Sequence, residues 1–479
     1  MQNELVLKQR TMDKKMLKPA ILSISLLTVM ASAAISPALN EIKNAFPGIS
    51  NTDVKLVLTL PSLIMIPFSL LSGWLSSRFS KKRIVLVGLI IYFIFGIGGG
   101  LAQSFNQLLV IRACLGVAIG LLMPISSSLI FDYFEGNLRN KMMGLSGSVN
   151  QLGGMFFLII AGLLASYSWK YSFGVYSLSL VSMLFVLLWL PAGNKNEETG
   201  TKPKEKVKLN FKIFGIAFIA MMMMVVFFVV STDLALYIES ERPVFSSSEK
   251  MFSSQEELQK ALEKGEITDY TINSFKNEGI ELSKDVQFKE IEKGKEWKFI
   301  DINKEYTVKK QGDQLIVYSG IGTSRMAGYA LSFMTVPAII AGFILSLLMK
   351  KLKGFIMPFS AMIMAGGYFI LSLADTSWIV FVAVGLIGFS GGLLSPPLLL
   401  MVPKVLSPNA RTLGIAIVSS SILFGQFVSP FFMKMATTIF GNDSYNFKFQ
   451  FLAYFVFSCA IIALIIMIFS NKKLKKENA

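Results

Sequence analysis

The chain contains no histidine, only two cysteines and few charged residues for its length. Asp, Glu, Lys and Arg make up 16% of its 479 residues, whereas soluble globular proteins carry about 25%. Without histidine, the chain has neither a histidine proton relay nor histidine metal ligands. Cys114 and Cys459 both lie in apolar segments, so we expect neither a disulfide nor a cysteine metal site.

Catalytic motifs are lacking as well. No Gly-x-x-x-x-Gly-Lys-Ser/Thr sequence occurs, which excludes ATP hydrolysis by a P-loop. We find no arrangement of nucleophile, base and acid that a membrane enzyme would need. We therefore expect neither an enzymatic activity nor a cofactor.

Long apolar runs are prominent in the sequence. Hydrophobic residues make up 53% of the chain, and a helix of about 20 apolar residues spans the roughly 30 Å hydrocarbon core of a bilayer. The runs are apolar on all sides, unlike the alternating strands of a membrane β-barrel. They predict an all-α membrane protein with 12 transmembrane helices, at residues 18–38, 55–77, 84–104, 107–131, 143–166, 172–191, 211–238, 325–349, 355–374, 378–403, 412–435 and 449–470.

The first apolar run also has the layout of a secretory signal peptide. Lys14, Lys15 and Lys18 lie at its start, and Ala31-Ser32-Ala33 resembles a cleavage site. Its apolar stretch is long, however, and eleven more runs follow it. We therefore interpret it as an uncleaved first transmembrane helix.

The distribution of basic residues explains the net charge of +16. If the N-terminus is cytoplasmic, the predicted cytoplasmic segments hold 26 of the 46 Lys and Arg residues. The short external loops then hold six: Lys43, Lys55, Lys170, Arg325, Lys434 and Lys448. This is the positive-inside bias of membrane proteins. It predicts a multi-pass protein of the plasma membrane with both termini cytoplasmic, and it argues against a nucleic-acid partner.

Residues 239–323, between helices 7 and 8, are soluble in character. They contain 17 acidic and 13 basic residues and fall on the extracytoplasmic side of the predicted topology. Two segments have a helical pattern, 253–264 and 268–277, and four have a strand pattern, 286–291, 297–302, 306–309 and 314–318. We therefore predict a small α+β extracytoplasmic insert at 239–323.

Internal repeats relate the two parts of the membrane region. Residues 120–124, Gly-Leu-Leu-Met-Pro, are matched by 392–396, Gly-Leu-Leu-Ser-Pro, at an offset of 272. The same offset relates three further pairs: Lys81 and Lys353, Arg139 and Arg411, and Gly153 and Gly425. Helices 3–5 thus repeat as helices 9–11, which predicts two pseudo-symmetric six-helix halves. The N-terminal half covers 1–191, a cytoplasmic linker covers 192–210, and the C-terminal half combines helix 7 at 211–238 with helices 8–12 at 324–479.

The segment after helix 2 carries a recognisable motif. Residues 73–83 read Gly-Trp-Leu-Ser-Ser-Arg-Phe-Ser-Lys-Lys-Arg. They resemble the loop between helices 2 and 3 of the major facilitator superfamily, Gly-x-Leu-x-Asp-Arg-x-Gly-Arg-Lys. The glycine, the leucine and the basic cluster are kept, while Ser77 stands in place of the Asp and Ser80 in place of the Gly.

Three further segments resemble motifs of the same family. Residues 109–120 keep its helix 4 pattern, Leu-x-x-Arg-x-x-x-Gly-x-x-x-Gly, and residues 135–139 keep Glu-x-x-x-Arg of the following loop. Gly153-Gly154 resembles the end of its antiporter motif, Gly-Pro-x-x-Gly-Gly, with Val149-Asn150 in place of Gly-Pro. The resemblance is closest to bacterial drug-efflux-like members with twelve helices. It implies that the two halves bind a solute near the midplane and rock around it.

Asp233 is the best candidate for a coupling carboxylate. Most other acidic residues outside the insert lie in tails or loops, and an ionisable group within the membrane costs about 2.5–3.5 kcal/mol at mid-helix. Two alternatives remain for Asp233, an outer-gate pair with Arg325 and simple exposure at the interface. The family resemblance places helices 4 and 7 at the central cavity, so that Arg112 would face Asp233. The alternative for Arg112 is snorkelling to the outer interface.

Polar residues on two other helices are candidate solute contacts. Asn150 and Gln151 on helix 5 and Gln426 on helix 11 occupy nearly symmetric positions. The alternative is that they make hydrogen bonds between helices, each worth about 0.6 kcal/mol.

The resemblance also implies an inner gate at the loop between helices 2 and 3. Its expected residues are Gly73, Arg78, Lys81 and Lys82 from that loop, with Asp132 and Arg139 after helix 4. Because a serine replaces the aspartate of the family motif, we expect Asp132 or Glu135 to meet Arg78 or Arg139. The basic cluster has a simpler alternative role as a topology anchor.

Together these features predict a monomeric secondary active transporter in the lipid bilayer. It would move a small organic solute by alternating access, with a proton or sodium ion as the coupling ion. The low charge of the predicted cavity favours ion-coupled export of an amphiphilic compound. Two alternatives are an uptake carrier for a small organic solute and a transporter-like sensor that uses the external insert to bind its ligand.

Overall fold

The computed structural model of the protein describes residues 16–28, 30, 34–76, 78–191, 210–240, 242–248, 287–292, 296–300, 305–311, 314–352, 355–406 and 411–477. The two predicted insert helices, 253–264 and 268–277, lie outside these residues, as does most of the predicted linker. The described secondary structure consists of helices and one small sheet.

Twelve described helices fall on the twelve predicted apolar runs. They are α1 Met16–Thr28, α2 Asn51–Ser76, α3 Lys81–Gly98, α4 Phe105–Tyr133, α5 Gly136–Ala165, α6 Leu178–Trp189, α7 Lys212–Ile238, α8 Ser324–Leu352, α9 Ile356–Ser372, α10 Ser377–Val405, α11 Arg411–Phe440 and α12 Tyr445–Glu477. In the described part of the chain, ten helical segments are long and apolar enough to cross a membrane. Of the others, α1 and α9 are shorter apolar helices. α6 reaches the required length together with the short helical turns before it, which begin at Trp169.

The first helix differs from the prediction. A continuous helix was expected over 18–38, but α1 covers Met16–Thr28, and the chain later forms a 3₁₀ turn at Ser36–Ala38 and a short helix at Leu39–Ala45. Pro37 has no N–H to donate, so it starts a new turn more readily than it extends an α-helix. The hydroxyl of Ser36 then donates to the backbone oxygen of Ser231 on α7, which brings this segment against the C-terminal half.

Close helix contacts recur at the offset of 272 that relates the two halves in sequence. A Cβ added to Gly116 of α4 would lie 2.7 Å from a backbone oxygen of α2, and a Cβ added to Gly388 of α10 would lie 2.0 Å from a backbone oxygen of α8. At Gly153 of α5 it would meet a leucine of α1, and at Gly425 of α11 it would lie 2.5 Å from a backbone oxygen of α7. Glycine at these positions lets the helix pairs approach closely, and each half uses the same pairs.

The segment between α7 and α8 forms an antiparallel sheet. Its described strands are β1 Arg242–Ser248, β2 Gln287–Glu292, β3 Glu296–Ile300, β4 Glu305–Gln311 and β5 Gln314–Ser319, in the order β1-β5-β4-β3-β2. Strands β2 to β5 fall on the four segments with a strand pattern, whereas β1 was not predicted because its Arg-Pro-Val-Phe-Ser-Ser-Ser sequence lacks a clear alternation. After β5, the backbone N–H of Ile321 donates to Ile238 O at 2.7 Å, which returns the chain to the end of α7.

The helix ends fall into two groups, which define two ends of the bundle. Lys55 at the start of α2 contacts Asp233 near the end of α7, where the sheet is attached. Lys81 at the start of α3 contacts Asp132 at the end of α4. We call the first of these the sheet end and the second the opposite end.

Candidate functional site

A buried ion pair joins the two halves near the sheet end. Lys55 Nζ on α2 lies 2.6 Å from Asp233 Oδ1 on α7, and the two side chains are 3% and 0% exposed. The Thr232 hydroxyl lies 2.9 Å from the other carboxylate oxygen, Asp233 Oδ2, within hydrogen-bonding distance. The ammonium and the hydroxyl therefore engage both oxygens of the carboxylate.

Such a pair is stable only while both partners are present. Removing two charges from water is costly, and their mutual attraction offsets that cost when the geometry is good. Deleting one partner leaves a buried charge without compensation, which typically costs about 3–5 kcal/mol. Because Lys55 belongs to the N-terminal half and Asp233 to the C-terminal half, this energy depends on contact between the halves.

The position of Lys55 corrects the sequence analysis. Lys55 was assigned to a short external loop, but α2 begins at Asn51, and the side chain of Lys55 is buried in the bundle. The signal available in the sequence was the apolar Val-Lys-Leu-Val-Leu context of residues 54–58. Its partner Asp233 is 178 positions away, so proximity along the chain could not indicate the pair.

The partners expected for Asp233 were therefore wrong. Arg325, the predicted gate partner, lies at the start of α8, and its guanidinium donates to the hydroxyl of Ser166 at 3.3 Å. That contact links α8 to the turn after α5. Lys55 occupies the position beside the carboxylate that the sequence analysis gave to Arg325 or Arg112.

Arg112 is buried at 1% exposure, which excludes snorkelling to the interface in this structure. Its Nε donates to Val57 O of α2 at 2.6 Å, and its Nη1 donates to the hydroxyl of Tyr176 at 2.8 Å. Tyr176 lies in the 3₁₀ turn before α6. These contacts connect three segments of the N-terminal half, and a role for Arg112 in the solute cavity stays a prediction.

Of the predicted polar contacts, Gln426 lies at the interface between the halves. The hydroxyl of Ser62 on α2 donates to Gln426 Oε1 on α11 at 2.7 Å. Asn150 Oδ1 on α5 is buried without a hydrogen-bond partner among the described residues, while Gln151 is exposed. Thr59 on α2 is also buried, and its hydroxyl has no hydrogen-bond partner among the described residues.

A further contact between the halves pairs α5 with α8. The hydroxyl of Ser332 on α8 donates to Met155 O on α5 at 2.8 Å. Nearby, a Cβ added to Gly162 would lie 2.9 Å from the Cα of Gly328, and a Cβ added to Gly328 would lie 2.6 Å from Leu158 O. The two backbones cross here with no room for a side chain between them.

At the opposite end, the predicted gate residues make different contacts. Asp132 was expected to meet Arg78 or Arg139, but it accepts from Lys81 Nζ, which also reaches Ser128. Lys81 reaches Asp132 because it is the first residue of α3, which begins beside the end of α4. The Lys81 and Asp132 side chains are 27% and 40% exposed.

The remaining gate residues also contact their own half. Lys82 Nζ donates to Leu187 O of α6 at 2.9 Å, and Arg139 Nε donates to Phe134 O at 2.8 Å. Arg78 lies exposed with its guanidinium 4.2 Å above the ring of Trp74. Around Gly73, an added Cβ would find open space. Their predicted gating role stays a prediction.

Helix α5 is more exposed toward the opposite end than toward the sheet end. Its exposed residues near the opposite end include Met143, Gly144, Leu145, Gly147 and Ser148. At about 100° per residue, these positions cover an arc of about 200°, and Met142 on the remaining face is buried. At the sheet end, the buried contacts of α2 with α7 and of α5 with α8 close the bundle.

Comparison with protein families identifies the fold. The model of the Major Facilitator Superfamily matches residues 21–248 and 314–479. That is most of the chain and includes all twelve helices apart from the first residues of α1. The unmatched residues between the two ranges fall within the predicted insert.

Curated relatives are similar over shorter stretches. Multidrug resistance protein 3 of Bacillus subtilis is 34% identical over 117 residues, which cover 24% of this chain and 23% of that protein. The hexuronate transporter of Bacillus subtilis is 28% identical over 174 residues, covering 34% and 41%. The arabinose-proton symporter of Escherichia coli is 28% identical over 125 residues, covering 26% of each chain. The chain spans less than half the length of these relatives.

Solved structures share the fold over nearly the whole chain. The nucleoside transporter NupG aligns with a TM-score of 0.63 at 11% identity, covering 94% of this chain and 99% of that one. A D-xylose-proton symporter aligns with a TM-score of 0.59 at 13% identity, covering 94% and 96%. Identities this low establish the fold alone. Because the family model matches most of the chain, the chain belongs to the major facilitator superfamily, whose members are membrane transporters and not enzymes.

Proposed function

We propose that the protein is a monomeric secondary active transporter with twelve membrane spans in the plasma membrane. Its halves would cover 1–191 and 211–479, joined by a cytoplasmic linker at 192–210 and interrupted by the insert 239–323. The shorter helices α1 and α9 would span with help from flanking residues. The positive-inside bias supports cytoplasmic termini, which makes the sheet end extracytoplasmic and the opposite end cytoplasmic.

The ion pair between Lys55 and Asp233 is the observation that carries the mechanism. While the sheet end is closed, the Lys55 ammonium stabilises the ionised carboxylate of Asp233. Opening of this end separates α2 from α7, so that Asp233 loses the counter-charge of Lys55 and accepts a proton from the external side. Closure brings Lys55 back against Asp233, and the proton leaves toward the cytoplasmic side. One proton would thus move inward in each cycle. If sodium is the coupling ion instead, it would bind to Asp233 and be released from it in the same two steps.

Export of an amphiphilic compound is the direction that we propose for the solute. Inward proton movement can drive a second compound outward through the same alternating cavity. The predicted cavity carries few charges, and the similarity to a multidrug resistance protein supports the same direction. Asn150, Gln151 and Gln426 would contact the solute, and Arg112 would add a positive charge beside the cavity.

Uptake of a small organic solute is the second candidate function. It is favoured by the similarity to an arabinose-proton symporter and a hexuronate transporter. The same exchange between Lys55 and a proton on Asp233 serves uptake, because the proton moves inward in both cases. The direction of solute movement therefore distinguishes the two functions.

The proposal is tested by cellular accumulation of a fluorescent lipophilic cation. Cells that express the chain should accumulate less dye than cells without it, and an uncoupler should abolish the difference. The Asp233→Asn variant should accumulate as much dye as empty cells. Asp375→Asn is the matched control, because Asp375 is an exposed carboxylate between α9 and α10, and it should behave like the unaltered chain.

Equal accumulation in all of these cells would contradict export. Labelled pentose and hexuronate would then be offered to the same cells. Proton-dependent uptake that is lost in Asp233→Asn would establish the second function. Dependence on a sodium gradient instead of a proton gradient would change the coupling ion and leave the role of Asp233 intact.

A further inference from the structure

A polar cavity of about 330 Å³ lies at the sheet end between the two halves. The start of α2 forms one wall, and the end of α11 with the start of α12 forms the other. Its mouth is made of exposed residues, and two lysines in its wall, Lys55 and Lys448, are buried.

The charge of the cavity lining is predominantly positive. Lys55, Lys434 and Lys448 line it, and Asp443 is the carboxylate among its lining residues. Asp233, the ion-pair partner of Lys55, does not line the cavity. Hydroxyl groups of Ser50, Thr52, Thr437 and Thr438 complete the polar surface.

The buried ammonium group of Lys448 is neutralised less completely than that of Lys55, whose partner Asp233 is also buried. Lys448 Nζ lies 2.8 Å from Asp443 Oδ1, but the lysine side chain is 3% exposed while the aspartate is 69% exposed. Water therefore screens the negative charge of Asp443 more than it screens the positive charge of the buried Lys448 ammonium, and the pair leaves part of that positive charge uncompensated. Lys448 Nζ also lies 4.6 Å from the ring centroid of Tyr445, a contact that supplies no oxygen acceptor.

An ammonium group has three N–H donors. Asp443 supplies one oxygen to Lys448, and Asp233 supplies one oxygen to Lys55. The remaining N–H donors of the two ammonium groups match the acceptors of an oxyanion. Charge-assisted hydrogen bonds of this kind are shorter and stronger than neutral ones.

We propose that this cavity binds a small oxyanion, a carboxylate or phosphate group, between Lys55 and Lys448. Lys55 belongs to the N-terminal half and Lys448 to the C-terminal half, so the site is complete only when the sheet end is closed. A ligand shifts a conformational equilibrium by its difference in affinity for the two states. Bound oxyanion therefore holds the sheet end closed and slows the transport cycle, whatever solute is carried.

The test is equilibrium binding of radiolabelled inorganic phosphate to the full chain in phosphatidylcholine nanodiscs. We expect saturable binding that acetate displaces and that chloride at equal ionic strength does not. Lys448→Met should weaken binding at least tenfold, while Lys448→Arg, which keeps the charge, should retain most of it. Lys170→Met is the matched control, because Lys170 lies at the same end of the bundle and does not line the cavity.

A second readout separates a binding site from a folding defect. Each variant must elute as a single species of unchanged size, and Gly328→Leu, which prevents close contact of α5 with α8, should also weaken phosphate binding because the site needs both halves. Nanodiscs with phosphatidylglycerol test a lipid phosphate as the natural occupant, which would compete with the radiolabel. Absence of saturable binding, or equal loss in Lys448→Met and Lys170→Met, would overturn the proposal. Neither result bears on Asp233-dependent transport, so the two proposals fail separately.

Discussion

At the sheet end, the ion pair between Lys55 and Asp233 crosses from one half to the other and is buried, whereas at the opposite end the pair between Lys81 and Asp132 stays within the N-terminal half and is partly exposed. Both pairs consist of a lysine at the start of one helix and an aspartate near the end of another. They differ in solvent exposure and in whether domain movement separates the partners. A buried pair across a moving interface can control a conformational change, while an exposed pair within one rigid half adds little to it.

The largest effect is expected from breaking the buried pair on one side only. Asp233→Asn leaves the Lys55 ammonium buried without a counter-charge, which should destabilise the closed sheet end by about 3–5 kcal/mol. We expect loss of cross-linking by a short bifunctional thiol reagent between cysteines placed at Asn40 and Glu239, whose Nδ2 and Oε2 atoms lie 2.9 Å apart across the two halves. The measurement uses a background in which Cys114 and Cys459 are replaced.

The double variant Lys55→Met with Asp233→Leu is the control for that experiment. Replacing both charges with apolar side chains of similar size is often neutral or stabilising, so cross-linking should return. Ion-coupled transport should not return, because no carboxylate remains to accept the proton. Recovery of both properties would show that the pair is structural and does not couple transport to an ion.

A smaller effect is expected where α5 crosses α8 at the sheet end. Gly328→Ala places a Cβ 2.6 Å from Leu158 O, and overpacking of this kind typically costs about 1–3 kcal/mol. Cross-linking at the sheet end should decrease without being abolished, and reactivity of cysteines on the cytoplasmic half of α5 should change little. A full rate of cross-linking would contradict the close crossing.

Gly342→Ala is the matched control on the same helix. An added Cβ at Gly342 meets nothing within 4 Å, and alanine is favoured over glycine in a helix by about 0.8–1.0 kcal/mol. This variant should therefore keep its sheet-end contacts and be as stable as the unaltered chain or slightly more stable.

The smallest effect is expected at the opposite end. Lys81→Met removes a partly exposed pair with Asp132, and pairs of this kind contribute about 0–1 kcal/mol. Thermal unfolding in detergent should shift by a degree or two at most, and sheet-end cross-linking should not change. A loss of transport as large as that of Asp233→Asn would show that this pair also controls the cycle, and the contrast between the two ends would then be wrong.

The twelve helices were predictable from local composition, because a segment must be apolar along its length to lie in a bilayer. The repeat at an offset of 272 predicted which helices correspond, and the glycine contacts of Gly116 and Gly388 occur at the same places in the two halves. Asp233 was found for a similar reason, since a carboxylate in an apolar run stands out in sequence.

The charge partners were not predictable by the same reasoning. Lys55 was interpreted as a loop lysine because it lies close to the boundary of its apolar run, where basic residues are common. Arg325 was expected beside Asp233 from its place at the start of helix 8, and Arg112 from the family resemblance that places helices 4 and 7 at the cavity. The rotation of each helix about its axis decides which side chains meet. That rotation depends on packing along the whole length of the helix.

By itself, the sequence determined the class of protein, the helical segments, the repeat and the presence of one carboxylate in helix 7, because each follows from residues that are near one another or at a fixed offset. The tertiary structure decided that Lys55 pairs with Asp233, that Lys81 pairs with Asp132, and that the bundle is closed at the sheet end. It also placed Lys448 beside the same cavity as Lys55. The physical reason is that these partners are 178 and 51 positions apart. Their contact depends on how helices pack and, for Lys55 and Asp233, on how the two halves dock, and no local pattern of residues specifies that packing.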